Sequence, residues 1–333
     1  MTGDTRQGTG AGGRVTIALR VALDARYLDR LRREVPDADV LVRATPEAWP
    51  ETLSRADALV VGASVTAEDL AAAPRLRWVQ ATIAGVEGFP IPALRDQGIA
   101  LTNFSGVAAS AIAEHVLALM LAFARGLPAL QRRQAAGAWC DNHVEAPPTV
   151  ELGEQTLGIV GLGDIGAELA WRARALGMRV LATNRDPIAT PPGVERVLPS
   201  EGLPEVLAAS DHVALCLPLT RATEHLIGRE QLATMKRSAY LYNVGRGELI
   251  DQDALVAALR DGTIAGAGLD VATPEPLPAD SPLWALPTVV ITGHTAGQTP
   301  LYWERGIALL IDNARRFLAG EELRNVVDTG AGY

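Results

Sequence analysis

The sequence predicts an α/β protein that contains two doubly wound parallel sheets. Short runs of β-branched and other apolar residues alternate with helical patterns along most of the 333 residues. This alternation is typical of a parallel sheet with helices on both faces. A long helical stretch begins at Ala108 and separates two such alternating regions, so we expect two units of ordinary domain size.

The first alternating region contains runs with the composition of buried strands. Two helical patterns, LDARYLDRLRREV and TAEDLAAA, lie between them. Ahead of the first strand, residues 1–13 are polar and rich in glycine, and we predict a disordered lead there. The predicted strands are RVTIALR, DVLVRAT, ALVVGAS, LRWVQAT and IALTNF.

The second alternating region follows a helical stretch over residues 108–139, in which Gly126 and Pro128 are the first breakers. We expect this stretch to form a structural spine between the two units. The later helical patterns are DQDALVAALRDG and the amphipathic LYWERGIALLIDNARRFLAG. The predicted strands are TLGIVGLG, RVLATN, HVALCLP, AYLYNVG, IAGAGLDV and TVVITGH.

The chain is acidic, because 30 basic and 39 acidic residues give a net charge of −9. Proteins that bind nucleic acid or an anionic membrane need a basic surface, so we predict neither partner. The longest apolar run, VLALMLAFA, is shorter than the roughly 20 residues that cross a bilayer. The two cysteines, Cys140 and Cys216, lie far apart, and we expect buried, inert thiols in a reducing cytoplasm.

A glycine motif predicts a dinucleotide site in the second region. In TLGIVGLGDIGAELAWRARALGMRVLATNRD, Gly161, Gly163 and Gly166 follow a predicted strand and open a predicted helix. In such a βαβ unit the first glycine allows the tight turn, the second lets the pyrophosphate approach the backbone, and the third lets helix and strand pack closely. The phosphates then lie at the positive end of the helix. The alternative is a glycine turn that holds no ligand.

The end of the second strand of this βαβ unit indicates which dinucleotide is preferred. Sites for NAD place an acidic residue about 20 residues after the glycines, where it binds the ribose hydroxyls. Here Asn184 and Arg185 stand at that point, and Asp186 follows. A neutral amide does not repel the 2′-phosphate of NADP, and a guanidinium pairs with it. We therefore predict NADPH; the alternative is an exposed arginine, with Asp186 serving NADH.

Three chemically active side chains follow three later strands. Arg246 stands between two glycines after LYNV, Glu275 follows the strand that ends near Asp270, and His294 stands in VVITGHTAG. The carboxyl ends of parallel strands meet at one edge of a sheet, where open α/β sheets bind ligands. Each residue has an ordinary alternative, as a surface arginine, a loop glutamate and a histidine that caps a strand. Because the three converge, we interpret them as one reacting site.

Over residues 79–299 the chain resembles the D-isomer-specific 2-hydroxyacid dehydrogenases, most densely in ALCLPLTRATEHLIGREQLATMKRSAYLYNVGRGELIDQDALVAAL and IAGAGLDVATPEPLPADSPLW. The resemblance implies hydride exchange between C4 of a nicotinamide and C2 of a small 2-oxo or 2-hydroxy acid. It also implies a Rossmann cofactor domain, residues 108–297, inserted in a flavodoxin-like substrate domain of residues 14–107 and 298–333. A homodimer and hinge closure over the cleft are implied as well.

The predicted chemistry gives each member of the trio one role. A ketone that accepts hydride develops alkoxide character, so it needs a proton donor and a nearby cation. His294 is the candidate acid, and Glu275 would hold the other ring nitrogen and favour the charged ring. Arg246 would bind the substrate carboxylate and polarise the carbonyl. The mechanism requires no metal, and no spacing of ligand residues predicts one.

The resemblance extends to residues outside the trio. The loop ATIAGVEG resembles the family loop whose backbone N–H groups hold the substrate carboxylate, and TNFSGV lies beside the cleft in the family. The expected substrate-binding residues are Ala84, Gly85, Asn103, Gly106 and Arg246. The expected cofactor-binding residues are Gly161, Gly163, Asp164, Ile165, Gly166, Asn184, Arg185, Leu217, Pro218, Thr223, Val244 and Asp270. The resemblance implies that Asp164 and Ile165 lie along the pyrophosphate and that Val244 and Asp270 hold the nicotinamide carboxamide. It also implies that the adenosine side is lined by Leu217, Pro218 and Thr223.

Two departures from the family pattern matter for function. The family usually has proline before the reacting histidine, where this chain has Gly293. Glycine loosens the backbone, so we expect less precise positioning of His294 or a reshaped pocket. The pair Asn184 and Arg185 resembles the glyoxylate/hydroxypyruvate reductase branch, which tends to prefer NADPH, and we expect a reductase of that kind.

Two alternative functions stay open. A biosynthetic dehydrogenase of a phosphorylated hydroxy acid, such as a phosphoglycerate dehydrogenase, is disfavoured because no basic cluster awaits a phosphate and no regulatory domain follows Tyr333. A dinucleotide-sensing corepressor, a kind of relative that keeps the fold and the trio, is disfavoured because the sequence has no basic arm. Both alternatives keep the dinucleotide site, and they differ from the predicted reductase in the second ligand that the protein binds.

The remaining histidines receive structural interpretations. His115 lies in a helical pattern, so we expect it to pack at an interface between domains or subunits. His143 and His225 are predicted at the surface, and His212 is predicted to begin and cap a strand. None of them enters the predicted site.

Overall fold

The computed structural model describes residues 14–42, 48–140, 147–186 and 189–328. The chain forms two compact units, of which the first contains Met1–Val107 and Pro300–Tyr333 and the second contains Ala108–Thr299. The predicted disordered lead, the position of His143 and the end of the predicted strand DVLVRAT lie outside the described residues.

A parallel sheet of five strands forms the centre of the first unit. The strands are β1 (Val15–Arg20), β2 (Ala38–Val42), β3 (Ala58–Val61), β4 (Trp78–Ala81) and β5 (Ala100–Thr102). One helix lies in each connection: α1 (Ala25–Glu34), α2 (Trp49–Arg55), α3 (Ala67–Ala72) and α4 (Ile91–Asp96). The order β2-β1-β3-β4-β5 is that of flavodoxin-like folds. Every residue of β3 and β4 is buried, which explains why β3 is a continuous apolar run and why β4 is apolar except for Gln80.

A parallel sheet of seven strands forms the centre of the second unit. Two helices precede it, α5 (Ala109–Ala124) and α6 (Leu127–Ala135). The following elements are β6 (Thr156–Val160), α7 (Asp164–Ala175), β7 (Arg179–Thr183), β8 (Arg196–Leu198), α8 (Leu203–Ala209), β9 (His212–Leu215), α9 (Arg229–Thr234), β10 (Tyr240–Asn243), α10 (Gln252–Arg260), β11 (Gly266–Leu269) and β12 (Val289–Ile291). The order β12-β11-β10-β9-β6-β7-β8 reverses at β6, as in a Rossmann fold. The predicted fold class is therefore confirmed.

The predicted spine helix is broken. Gly126 adopts a left-handed φ of +65°, and α5 and α6 meet there at a bend of 70°. A Cβ on Gly126 would lie 2.5 Å from Cγ of Pro147, so glycine is required on steric grounds as well. Within the described ranges, no single helix has the length and apolarity of a membrane span, and α5 with α6 meets that test only as a bent pair.

The last helix, α11 (Leu301–Ala319), packs onto the sheet of the first unit. Its Asn313 is fully buried and donates from Nδ2 to Oε1 of Gln80 on β4, at 3.0 Å. The same oxygen accepts the hydroxyl proton of Thr102 on β5, at 2.8 Å, and Thr102 accepts from Nε1 of Trp78. These buried polar groups satisfy one another, so the network fixes α11 over β4 and β5.

His212 begins β9, and its ring is fully buried within the second unit. Its Nε2 lies 2.7 Å from Oε1 of Gln155, and its Nδ1 lies 2.9 Å from the hydroxyl of Tyr242. An amide oxygen only accepts, so Nε2 donates and Nδ1 accepts the proton of Tyr242, which describes a neutral ring. Burial lowers the pKa of His212 from 6.5 to about 4.

This buried histidine should make the protein less stable in mild acid. The unfolded chain binds a proton at His212 below pH 6.5 while the folded chain does not, so this contribution to the free energy of unfolding is present above pH 6.5 and is lost as the pH falls towards 4. The loss totals about 3 kcal/mol. Urea unfolding between about pH 7 and pH 4.5 should show a shallower pH dependence for His212→Gln than for the wild type. Equal slopes would contradict the assignment.

Candidate active site

The predicted functional residues of the second unit follow the carboxyl ends of its strands. They are the glycine motif after β6, Arg185 after β7, Leu217 after β9, Arg246 after β10, Asp270 and Glu275 after β11, and His294 after β12. Because all these strands are parallel, the segments lie at one edge of the sheet. The glycine motif lies at the reversal of strand order, which is where dinucleotides bind in this class of fold.

The glycine loop has room for a pyrophosphate at the start of α7. A Cβ on Gly163 would meet no heavy atom within 4 Å, whereas one on Gly166 would lie 2.4 Å from the carbonyl oxygen of Gly161. Gly161 has a φ of +93°, and a Cβ there would lie 2.7 Å from Cβ of Leu217. Among the described residues no side chain caps α7, so the N–H groups of its first turn, which includes Asp164, suit an anion. The loop therefore fits the phosphates of a dinucleotide.

The turn after β7 presents an amide and a guanidinium. Oδ1 of Asn184 accepts from the N–H of Leu162 at 3.3 Å, and its Nδ2 donates to the carbonyl of Asp186 at 2.9 Å. Arg185 donates from Nε and Nη2 to Oδ2 of Asp186, at 3.0 and 2.7 Å. Both charged side chains are more than half exposed, so this pair is weak and a phosphate can compete for the guanidinium.

The turn after β9 is closed by Thr223. Its hydroxyl accepts from the N–H of Thr220 and donates to the carbonyl of Pro218, both at 2.8 Å. Just before this turn, burial raises the pKa of the Cys216 thiol to about 12, so the thiol is neutral. Thr223 thus holds the shape of the turn, and its contact with adenosine stays a prediction.

Arg246 lies in a segment that is tightly packed on both sides. The buried Asn243 accepts the N–H of Gly245 at 3.1 Å and donates to the carbonyl of Arg246 at 2.7 Å. A Cβ on Gly247 would lie 2.1 Å from the carbonyl oxygen of Ala272, in the loop that also contains Glu275. The half-buried guanidinium donates from Nη1 to the carbonyl of Gly245 at 2.8 Å. Gly247 therefore allows the segment of Arg246 to lie against the Glu275 loop, and Gly245 allows it to lie against Leu217.

Glu275 and His294 form a hydrogen-bonded pair. Nδ1 of His294 lies 2.8 Å from Oε2 of Glu275, and the other carboxylate oxygen accepts the N–H of Ala272 at 3.2 Å. A carboxylate oxygen only accepts, so Nδ1 of the ring carries a proton and Nε2 is left for a ligand. The side chain of His294 is 53% exposed. An accessible Nε2 fixed by a carboxylate behind it is the arrangement of a general acid or base.

The loop that carries His294 has a defined left-handed conformation. Gly293 has a φ of +60° and His294 a φ of +59°, while proline is restricted to a φ near −65°. The conformation of this loop thus requires a residue other than proline before His294. The N–H groups of His294, Thr295 and Ala296 all donate to Asp270, the first to its carbonyl and the others to its carboxylate. These hydrogen bonds to Asp270 constrain the loop, and the effect of Gly293 on the positioning of His294 stays a prediction.

The predicted substrate-binding loops of the first unit follow β4 and β5. Asn103, which is buried, donates from Nδ2 to the carbonyl of Ala84 at 2.7 Å and accepts the N–H of Ser105 at 3.0 Å. Within the part of the chain that the structure describes, the N–H groups of Ala84 and Gly85 donate to no protein acceptor. Gly106 is exposed and has a φ of +80°. The loop after β4, which contains Ala84 and Gly85, can therefore offer its backbone N–H groups to an anion.

Two side chains that the sequence analysis did not place in the site contact its loops. The amide of Gln252 donates to the carbonyl of Thr273 at 2.7 Å and accepts its N–H at 3.1 Å, so it fixes the loop of Glu275. His115 contacts Thr292. No local pattern marks either residue, because the bonded partners are 21 and 177 residues apart in the chain. Across the described ranges, no group of three or more His, Cys, Asp or Glu side chains could hold a metal ion.

Comparison with known proteins identifies the family. A sequence model described as "D-isomer specific 2-hydroxyacid dehydrogenase, NAD binding domain" matches residues 117–296. Glyoxylate/hydroxypyruvate reductase B of Yersinia pestis (strain Pestoides F) is 39% identical over 291 residues, which cover 85% of this chain and 88% of that protein. The family-model match includes the segments that carry Arg246, Glu275 and His294.

Solved structures agree with this match. A D-isomer specific 2-hydroxyacid dehydrogenase from Xanthobacter autotrophicus Py2, in complex with NADPH and MES, has a TM-score of 0.83 and 33% identity, covering 96% of this chain and 100% of that one. An NADPH-dependent glyoxylate/hydroxypyruvate reductase from Sinorhizobium meliloti, in complex with NADP and sulfate, has a TM-score of 0.80 and 26% identity, covering 96% and 100%. The chain belongs to the D-isomer specific 2-hydroxyacid dehydrogenase family and is an NAD(P)-dependent oxidoreductase that interconverts 2-oxo and 2-hydroxy acids.

Proposed function

We propose that this enzyme reduces glyoxylate and hydroxypyruvate with NADPH, and that Arg246, Glu275 and His294 carry the reaction. The observation that supports it most is the Glu275–His294 hydrogen bond of 2.8 Å, at the sheet edge that also carries the glycine loop. The substrates are suggested by the names of the relatives in Yersinia and Sinorhizobium. In this proposal the second unit binds the cofactor and carries the trio, and the first unit supplies further donors to the substrate.

His294 has the proposed role of proton donor. Glu275 holds Nδ1, so the charged ring presents its second N–H, on Nε2, to the carbonyl oxygen of the substrate. When bound, the reduced nicotinamide supplies the hydride that the carbonyl carbon accepts. The oxygen gains negative charge as the carbon is reduced, and transfer of the proton from Nε2 yields the hydroxyl group. The exposed side chain of His294 then regains a proton from solvent.

The substrate carboxylate has two proposed sets of donors. Arg246 offers a planar guanidinium that binds a carboxylate through two parallel hydrogen bonds and also polarises the adjacent carbonyl. The N–H groups of Ala84 and Gly85 supply backbone donors, and Asn103 and Gly106 shape the loops beside them. Both sets recognise the carboxylate shared by all 2-oxo acids, so the rest of the pocket selects the substrate.

The substrate proposal is tested by a panel of 2-oxo acids. Glyoxylate, hydroxypyruvate, pyruvate, a branched 2-oxo acid and phosphohydroxypyruvate are compared by kcat/KM with NADPH and with NADH. We expect kcat/KM for glyoxylate and for hydroxypyruvate to exceed that for the branched acid by at least about tenfold. One extra methylene group on a substrate is enough to change kcat/KM by that much. A higher kcat/KM for phosphohydroxypyruvate would instead support the biosynthetic alternative.

The proposed preference for NADPH rests on Arg185. Arg185→Ala should weaken NADPH binding by about tenfold, because a charge-assisted hydrogen bond to the 2′-phosphate is lost, and should leave NADH binding within about twofold. Titration of each cofactor by fluorescence measures both constants. Asp186→Ala is the matched control: it should leave NADH unaffected, whereas a specific loss of NADH binding would show that Asp186 serves NADH instead.

We further propose a cytoplasmic homodimer. Three apolar side chains near α5 and α6 are exposed: Leu121 at 41%, Leu127 at 51% and Trp139 at 93%. A group of exposed apolar side chains along one segment gives a second copy of the chain a surface to cover, which supports the proposed dimer. The free thiols of Cys140 and Cys216 suit a reducing compartment.

A further inference from the structure

His115, on α5, contacts the loop that carries His294. Its Nε2 lies 2.9 Å from Oγ1 of Thr292 and 3.8 Å from Oδ1 of Asp270. Only 22% of the His115 side chain is exposed. The contact is therefore part-buried, and a donor placed there has few alternative partners.

The direction of these hydrogen bonds follows from the number of protons that each side chain can donate. Oγ1 of Thr292 lies 2.6 Å from Oδ1 of Asp270, and a carboxylate oxygen only accepts. Thr292 therefore gives its one hydroxyl proton to Asp270. Oγ1 can then only accept from His115, so Nε2 of His115 carries a proton and donates. The three side chains form a directed chain from His115 through Thr292 to Asp270.

Asp270 is the anchor of the loop at the end of this chain. Its carboxylate is 3% exposed and accepts the N–H groups of Thr295 and Ala296, at 2.9 and 3.1 Å. Its carbonyl accepts the N–H of His294, whose φ is +59°. Residues other than glycine rarely adopt that conformation, and it persists where the surrounding contacts hold it.

The packing of α5 against the same loop is close at a second point. A Cβ on Gly297 would lie 3.3 Å from Cβ of Ala108 and 3.9 Å from the side chain of Ile112. The loop thus contacts α5 through a polar contact before His294 and an apolar contact after it. A helix that fixes both sides of a loop limits how far the residue between them can move.

We propose that His115 is a positioning residue for the reaction, and that it holds the His294 loop in its left-handed conformation through Thr292 and Asp270. This inference rests on the proposed role of His294 as proton donor. Loss of the His115 donor leaves the Thr292 hydroxyl free to rotate away from Asp270, which weakens the orientation of that carboxylate. His294 then aligns less well with Glu275 and with the substrate oxygen.

The first test compares His115→Ala with His115→Gln. We expect His115→Ala to lower kcat by about 10- to 100-fold, the usual effect of misplacing a reacting group, with KM for glyoxylate within about threefold. The solvent isotope effect on kcat should rise, because proton transfer becomes slower. The amide nitrogen of a glutamine lies near the place of Nε2, so His115→Gln should recover most of the rate. A folded His115→Gln variant as slow as His115→Ala would overturn the proposal.

A double-mutant cycle tests the path through Thr292. In the Thr292→Val background His115→Ala should have no further effect on kcat, and additive losses would overturn the proposal.

Ser110→Ala is the matched control on the same helix, because Ser110 donates to Glu168, at 2.7 Å, and not to the loop. It should keep the wild-type rate. A wild-type rate in His115→Ala together with an inactive His294→Asn rejects this inference alone; a wild-type rate in His294→Asn rejects the proposed function.

Discussion

Replacing His294 with asparagine should lower kcat for 2-oxo acid reduction by about 10²- to 10⁴-fold, the range over which a general acid contributes. Asparagine is the informative substitution because His294 has a φ of +59°, which asparagine tolerates better than alanine. The backbone is thereby kept while the imidazole is removed. Steady-state rates of NADPH oxidation measure the loss.

His225 offers a matched control for this substitution. It is exposed, it lies in the same unit, and its φ is +50°. His225→Asn therefore makes the same substitution at another left-handed backbone position, outside the site. We expect it to keep the wild-type kcat. If His294→Asn retained a comparable rate, His294 would not be the proton donor.

Replacing Arg246 with alanine should lower kcat/KM for the 2-oxo acid by about 10²- to 10⁴-fold, because two charge-assisted hydrogen bonds to the substrate carboxylate are lost. Arg246→Lys keeps the charge and loses the planar fork, so we expect an intermediate loss. The Kd of NADPH should change by less than about twofold in both variants. Initial rates over a range of substrate concentrations, with fluorescence titration of the cofactor, separate these effects.

Arg260 supplies the control for the arginine series. It is exposed at the C-terminal end of α10, in the same unit as Arg246. Arg260→Ala changes the net charge by the same amount and should leave kcat/KM unaltered. A large loss of NADPH affinity in Arg246→Ala, with substrate binding intact, would mean that the guanidinium serves the cofactor and not the substrate.

Most of the fold was predictable because its determinants are local. The βαβ unit around Gly161 shows a buried strand, a glycine turn and a helix in adjacent residues, and such patterns predicted both sheets. The edge strand β8 was missed, since its three residues are exposed or half-buried and show no apolar run. The break at Gly126 has a local signal, because Gly126 and Pro128 stand there, but the helical pattern continues on both sides and was interpreted as one stretch.

The site was predictable to the extent that topology determines it. The rule that parallel strands end at one edge predicted where Arg246, Glu275 and His294 would stand, although their roles stay predictions. The loop conformation was not predictable, because glycine before His294 permits many backbones and hydrogen bonds to Asp270, about 25 residues earlier in the chain, help to select one. His115 was equally hidden, because its partner Thr292 is 177 residues away.

The most direct test of the account is a crystal structure with NADPH and an unreactive 2-oxo acid analogue such as oxamate. The quantity to measure is the distance from Nε2 of His294 to the oxygen that stands for the reacting carbonyl. We expect about 2.6–3.2 Å, with Nδ1 still bonded to Glu275 and the ligand carboxylate on Arg246. An imidazole turned away from the ligand, or separated from Glu275, would contradict the account.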